Sequence, residues 1–216
     1  MRGRLALAAL IVPVVIASVT ACGGTSASTF HPSGAVPSAS AGGPVVPARA
    51  ATAPGGYRFP AGVAVDFAPA TQTSVTDRAI LASYHSYALA LWAAASSAGQ
   101  DSAYQSLAGG SALSFIRREV AYFSAGDREL RGTISYSNTT VSAVYFGTGT
   151  TVTSCVDASA FHVVDSRSGV VTGSVFPASY ARYLEVVTEA RRANGTWLVN
   201  ATESYPASTS EGAECS

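Results

Sequence analysis

The chain has 216 residues, of which 48% are hydrophobic and only 12% are charged. Its 13 basic residues, all of them Arg, balance 13 acidic residues, so the formal net charge is zero. This balance excludes the nucleic-acid-binding proteins that carry a basic stripe, and three Cys are too few for a disulfide-built miniprotein or a four-Cys zinc site.

The first 21 residues predict a lipoprotein signal peptide. Arg2 and Arg4 precede an apolar stretch at 5–17, which is shorter than the roughly 20 residues that span a bilayer and fits a secretory leader. The following VTAC sequence, which ends at Cys22, resembles a bacterial lipobox. We therefore expect a diacylglycerol on Cys22, whose two acyl chains anchor the protein stably to the outer face of the cell membrane. The alternative is an ordinary signal peptide with an incidental Cys.

Composition divides the rest of the chain into a tether and one domain. Ala, Gly, Ser, Thr and Pro dominate residues 22–62, and such a segment buries too little apolar surface to offset its ordering entropy. We expect it to be a flexible, lipid-anchored tether. Residues 63–216 are long enough for a single domain with its own core.

Helical signals come first in this domain. Ser74 or Thr76 can cap a long helix that Gly99 ends, and apolar residues recur at intervals of three or four within it. A shorter segment and a second clear helix follow. The predicted elements are a strand at 63–67 and helices at 74–98, 101–107 and 111–124.

The apolar period then changes to two, which indicates strands. Asn194-Gly195 is the strongest hairpin signal and predicts a two-residue type I′ turn that places Ala190 opposite Val199. Helices followed by a run of mainly antiparallel strands indicate the α+β class. The predicted strands are 130–136, 139–146, 150–157, 161–165, 179–193 and 196–205.

Three features carry a family resemblance: an aromatic first helix with Tyr84 and Trp92, a strand around Cys155, and a closing strand at Trp197 followed by Cys215. Over roughly residues 65–215, their order resembles the nuclear transport factor 2-like superfamily of cystatin-like α+β cones. It is most similar to the small secreted or lipid-anchored members found in actinobacteria. The resemblance implies N-terminal helices packed against a curved sheet, around a cone-shaped cavity. Some superfamily members are isomerases or dehydratases, and many are non-catalytic binding modules.

The cysteines and one acid have predicted roles. With Cys22 lipidated, Cys155 and Cys215 remain as an even pair in an oxidising compartment, which predicts a disulfide. In catalytic relatives an Asp inside the cone often acts as base, and Asp157 is the candidate here. Strand alternation puts Asp157 on the face of Cys155, however, which favours a structural or turn-capping role. The possible cavity or ligand-binding residues are Tyr84, Trp92, Tyr136, Asp157, Tyr180 and Trp197.

No metal or cofactor motif and no catalytic constellation is visible in the sequence. We therefore expect a non-catalytic, extracytoplasmic module that binds an envelope protein or a small apolar ligand. A structural factor that dimerises through its sheet is one alternative. The other is an isomerase- or dehydratase-type enzyme, which requires a buried acid near a Tyr or a second acid.

Overall fold

A computed structural model describes residues 51–52, 56–71, 74–142 and 144–216. The predicted leader, Cys22 and the tether up to residue 50 lie outside the described residues. A bilayer-crossing helix is not found in the described part of the chain. The strands are β1 (Ala51–Thr52), β2 (Arg58–Phe59), β3 (Val63–Phe67), β4 (Arg128–Val141), β5 (Gly149–Asp157), β6 (Phe161–Asp165), β7 (Val171–Ser174), β8 (Arg182–Arg191) and β9 (Trp197–Pro206). The helices are α1 (Val75–Ser96), α2 (Tyr104–Leu107) and α3 (Gly110–Ser124), with 3₁₀ turns at Ala178–Tyr180 and Ala213–Cys215.

Helix α1 occupies the segment in which the sequence predicts its longest helix. The Ser74 side chain accepts a hydrogen bond from the Asp77 amide at 2.9 Å, so Ser74 and not Thr76 is the cap. Every residue from Tyr87 to Ala95 is buried, because α1 packs against the sheet, against α2 and against α3. A helix that is covered on all sides is apolar all round, which explains why its apolar residues spread beyond a single stripe.

The sheet is curled and mainly antiparallel, with β4 at its centre. One edge of β4 pairs in parallel with β3, and the other pairs antiparallel with β5 and β6 in turn. The pairing passes from β5 to β6 with a shift of one residue, since Val156 lies opposite Tyr136 and Phe161 lies opposite Gly132. Strands β5 and β6 therefore lie end to end along one edge of β4 and are joined by a bend at 158–160. Strands β8 and β9 extend the sheet beyond β5, and β7 extends it beyond β6.

Two strand predictions are corrected. The predicted strands 130–136 and 139–146 are a single strand, β4, which ends at Val141. Asn138 has a positive φ of 51° and the pairing with β5 shifts beside it, but the ladder resumes at Thr140. A bulge of this kind bends a strand without ending it. The short edge strand β7 was not predicted at all.

The β8–β9 hairpin also differs from its prediction. The Arg192 amide donates to the Thr196 carbonyl at 2.8 Å, so the turn contains the three residues 193–195, with Gly195 at φ 83°. Three-residue loops of this kind place a Gly in the left-handed region. The predicted two-residue turn is therefore wrong. Val199 lies opposite Glu189 and not Ala190, and a one-residue slip of this kind exchanges the faces on which side chains pair.

The predicted disulfide between Cys155 and Cys215 is present, with the two Cα atoms 5.2 Å apart. It ties the C-terminal 3₁₀ turn to the outer face of the sheet, where Leu184 packs against both cysteines and is only 8% exposed. The cross-link closes a loop of 60 residues, which in the chain-entropy model stabilises the fold by about 4 kcal/mol.

Candidate functional site

Two glutamates of β8 lie inside the protein. Glu185 is 5% exposed and Glu189 is fully buried. Side chains alternate along a strand, and both acids are in phase with Tyr183 and Val187, which are also buried. Sequence reasoning missed these acids, although the alternation of YLEVVTEA placed them on the same face as a Tyr and a Val.

Glu185 has two hydrogen-bonding neighbours. The Tyr84 hydroxyl donates to its Oε2 at 2.6 Å, and the Thr202 hydroxyl lies 3.5 Å from its Oε1. Burial disfavours the charged carboxylate and raises its pKa, whereas the hydrogen bonds from Tyr84 and Thr202 lower it. Burial has the larger effect, so the pKa of Glu185 is raised to about 7. Glu185 can therefore gain or lose a proton near neutral pH.

Glu189 is the less well compensated acid. Among the described residues, neither of its carboxyl oxygens has a hydrogen-bond partner. Burial raises the pKa of Glu189 to about 8, and this effect outweighs that of the Ser83 hydroxyl, which acts in the opposite direction. A buried carboxyl without partners avoids the cost of charge burial by keeping its proton, so Glu189 is neutral through most of the physiological pH range.

Aromatic groups surround Glu185. The Trp92 indole nitrogen donates to the Tyr136 hydroxyl at 2.8 Å, and the Tyr84 and Tyr136 rings meet edge to face at 6.0 Å. Burial, and next the charge of Glu185, raise the pKa of Tyr84 and of Tyr136 well above the ordinary value. The Tyr84 hydroxyl therefore remains a hydrogen-bond donor. Three of the six residues predicted from the sequence are thus brought together in the core.

A pocket of about 290 Å³ opens toward Glu185. It lies between α1, α3, the segment before β8, and strands β8 and β9. The predicted residues Trp92 and Tyr180 line it, whereas Tyr84 reaches it only through its hydrogen bond to Glu185. Its lining residues are Leu91, Trp92, Phe115, Glu119, Phe176, Pro177, Tyr180, Tyr183, Glu185 and Ser204.

Asp157 and Trp197 lie elsewhere. Asp157 forms an ion pair with Arg182 at 3.0 Å and accepts hydrogen bonds from Ser159, beside the disulfide. Partial burial raises the pKa of Asp157, but the hydrogen bonds from Ser159 and Arg182 outweigh it and hold the value below its usual range. Asp157 therefore acts as a surface carboxylate that organises a turn. Trp197 is 8% exposed and lies near the first turn of α1.

Other surfaces offer less chemistry. A wider depression of about 560 Å³ lies beside the first turn of α1. Asp77 and Arg191 border it, but its described lining holds no buried ionisable side chain. In the described part of the chain, no three His, Cys, Asp or Glu side chains are grouped as metal ligands would be. The pocket at Glu185 is therefore the candidate site.

Comparison of this chain with family models, with curated proteins and with solved structures found no match. Its function must therefore be argued from the site, because a fold alone does not determine function. The site consists of the buried pair of Glu185 and Tyr84 and the aromatic pocket next to it.

Proposed function

We propose that this chain is a lipid-anchored, extracytoplasmic binding module whose nuclear transport factor 2-like domain holds a small, mainly apolar ligand in the Glu185 pocket. The single observation that carries the proposal is a buried carboxyl, hydrogen-bonded to Tyr84, at the floor of an aromatic pocket. The anchor is argued from the VTAC sequence at Cys22 and from the tether that follows it.

The pocket has the composition of a ligand site. Such sites are mostly apolar, with a small number of polar groups that fix orientation. Here five aromatic rings, a Leu and a Pro provide the apolar wall, while Glu119, Glu185 and Ser204 provide the polar groups. A volume of about 290 Å³ is near the small end of ligand pockets, so we expect a ligand smaller than a dinucleotide.

We expect protein purified from its own host to retain a small molecule in native mass spectra. Ser204 is exposed at the pocket rim, so Ser204→Trp should fill the pocket and abolish the retained mass without disturbing the core. Thr188→Trp is the matched control, because Thr188 is an exposed residue of β8 outside the pocket lining, and it should leave the retained mass unchanged.

A retained mass that survives Ser204→Trp would place the ligand elsewhere and contradict this site.

Mass spectrometry of the protein extracted from membranes tests the anchor, because the mass of the mature protein shows at which residue it begins. A start at any residue other than a diacylated Cys22 would contradict the anchor.

An acid–base enzyme of the isomerase or dehydratase type is the second candidate. The observation that favours it is the pKa of about 7 for Glu185, because a general base works best when its pKa lies near the operating pH. Glu185 would take a proton from one carbon of the ligand and return a proton to another carbon of the same ligand. Incubation in deuterium oxide should then introduce carbon-bound deuterium into the retained ligand, and Glu185→Gln should stop this. A ligand that stays unlabelled supports binding alone.

A further inference from the structure

The walls of the Glu185 pocket form an aromatic box. The rings of Trp92 and Phe176 meet edge to face at 5.9 Å, and Phe176 meets Tyr183 in the same way at 5.5 Å. Tyr180 lies 6.2 Å from Tyr183, measured between ring centroids. Phe115 of α3 adds a fifth ring to the lining. Four of the rings are thus fixed by packing against one another, and all five line one space of about 290 Å³.

The charges in this lining have a single sign. Glu185 is fully enclosed, whereas Glu119 is partly buried, so the two acids sit at different depths. Among the described residues that line the pocket, none is basic. The guanidinium of Arg118, which precedes Glu119 in the sequence, lies over the Phe115 ring at 5.8 Å and is not part of the lining. Partial burial raises the pKa of Glu119, against the opposing charge of Arg118.

Aromatic faces and carboxylates attract the same kind of ligand. The negative face of an aromatic ring stabilises a cation, and this attraction grows when the cation is desolvated. A carboxylate at the end of the box adds an ion pair that an anion or a neutral molecule cannot make. An anionic ligand would instead meet two acids, of which only Glu119 has a neighbouring base, Arg118, and that base lies outside the lining.

We propose that the ligand of the Glu185 pocket is a small organic cation, a protonated or quaternary amine, whose charged group is enclosed by the aromatic box between Glu119 and Glu185. This inference rests on the proposed ligand-binding function and narrows it to one chemical class. A trimethylammonium group fits the aromatic box. Its methyl groups can pack against the rings, and it has no N–H group that needs a hydrogen-bond partner.

The test compares choline with its neutral isostere 3,3-dimethylbutan-1-ol, by proton NMR titration of the full-length protein at pH 7.5. The trimethylammonium protons of bound choline should shift upfield, because they lie over ring faces. Choline should bind at least about tenfold more tightly than the isostere, since a desolvated cation–π contact is worth a factor of that size.

Matched variants distinguish the contribution of the aromatic box and of Glu119 from general effects of a substitution on the protein. Phe176→Leu keeps an apolar side chain but removes a ring, and Glu119→Gln removes only a charge from the partly exposed face of α3. Each should weaken choline binding severalfold while the isostere changes little. Phe146→Leu is the control, because Phe146 is a fully exposed aromatic residue outside the pocket, and it should change neither affinity.

Each outcome is decisive. If the isostere binds as tightly as choline, the pocket binds ligands without selecting a cation, so the inference fails and the proposed function survives. If benzyltrimethylammonium and choline both fail to bind at millimolar concentrations, the amine class is refuted. If the retained native ligand is also absent, the proposed function fails with it.

Discussion

The free energy of unfolding of this domain should be largest near pH 5 and should fall as the pH rises to 8. Burial raises the pKa of Glu185 to about 7 and that of Glu189 to about 8, whereas both carboxyls lose their protons near pH 4.5 once the chain unfolds. Between these values the folded state binds more protons than the unfolded state, so stability falls with rising pH.

The expected size of this loss is large for a single domain. Each carboxyl contributes about 1.4 kcal/mol per pH unit within its window, and together they cost on the order of 5 kcal/mol between pH 5 and pH 8. Natural domains have a free energy of unfolding of about 5–15 kcal/mol, so this loss is a large share of the total stability. Below about pH 5 the trend reverses, and the free energy of unfolding falls as the pH falls. The reason is that Asp157 and Asp165 have pKa values below their usual range and lose their favourable contacts when acid protonates them.

Urea denaturation followed by circular dichroism at pH 5, 6, 7 and 8 measures this dependence. Glu189→Gln and Glu185→Gln should each flatten the curve, and the double variant should lose most of the pH dependence. Burial also raises the pKa of Glu119 and lowers that of His85, and these two remaining shifts change the stability in opposite directions. Glu203→Gln, at an exposed position on β9, should follow the parent curve. A parent protein that is equally stable at pH 5 and pH 8 would show that neither acid is buried with its proton.

Replacement of Gly132 by Ala should prevent folding or cost more than about 4 kcal/mol of stability. Gly132 lies in β4 opposite Phe161, the first residue of β6 after the bend that joins β5 to β6, and has a φ of 102°. A Cβ atom there would lie 1.8 Å from the Ala160 carbonyl oxygen. Because that oxygen belongs to the backbone of the bend and accepts a hydrogen bond from the Thr133 amide at 3.2 Å, it cannot move aside cheaply.

Gly173→Ala is the matched control for this experiment. Gly173 also lies in a strand, β7, but no atom lies within 4 Å of the position that its Cβ would take. It should retain the parent midpoint in urea. The steric account of the bend is refuted if Gly132→Ala lowers the stability by less than about 1 kcal/mol, which is within the range of ordinary surface changes.

The local elements follow from the sequence because their causes are local. The cap at Ser74, the strands β3, β5 and β6, and the position of the β8–β9 turn all depend on residues a few positions apart. The pairing of Cys155 with Cys215 could be predicted for a different reason, since only two cysteines remain once Cys22 is assigned to the lipid.

The candidate site was only half predictable. Tyr84, Trp92 and Tyr136 were singled out as aromatic residues of helical and strand segments, and they do meet in the core. Their hydrogen-bonded acid was missed, because Glu is ordinarily exposed and only the packing of α1 against the sheet encloses Glu185. Asp157, which the resemblance offered as a candidate base, lies on the outer face with the disulfide, where the strand alternation predicted it.

By itself the sequence determined the α+β order of helices and strands and the cysteine pair. The leader and the anchor at Cys22 are still predictions, because they lie outside the described residues. The tertiary structure alone decided which face each closing-strand residue presents. The β8–β9 ladder shifts between Thr188 and Glu189, so that Val199 pairs with Glu189 while Thr202 pairs with Val187. This bulge brings Thr202 to the same inner face as Val199, within 3.5 Å of Glu185. The physical reason is that a bulge inserts one residue and resets the alternation beyond it, and no local pattern records where the partner strand imposes it.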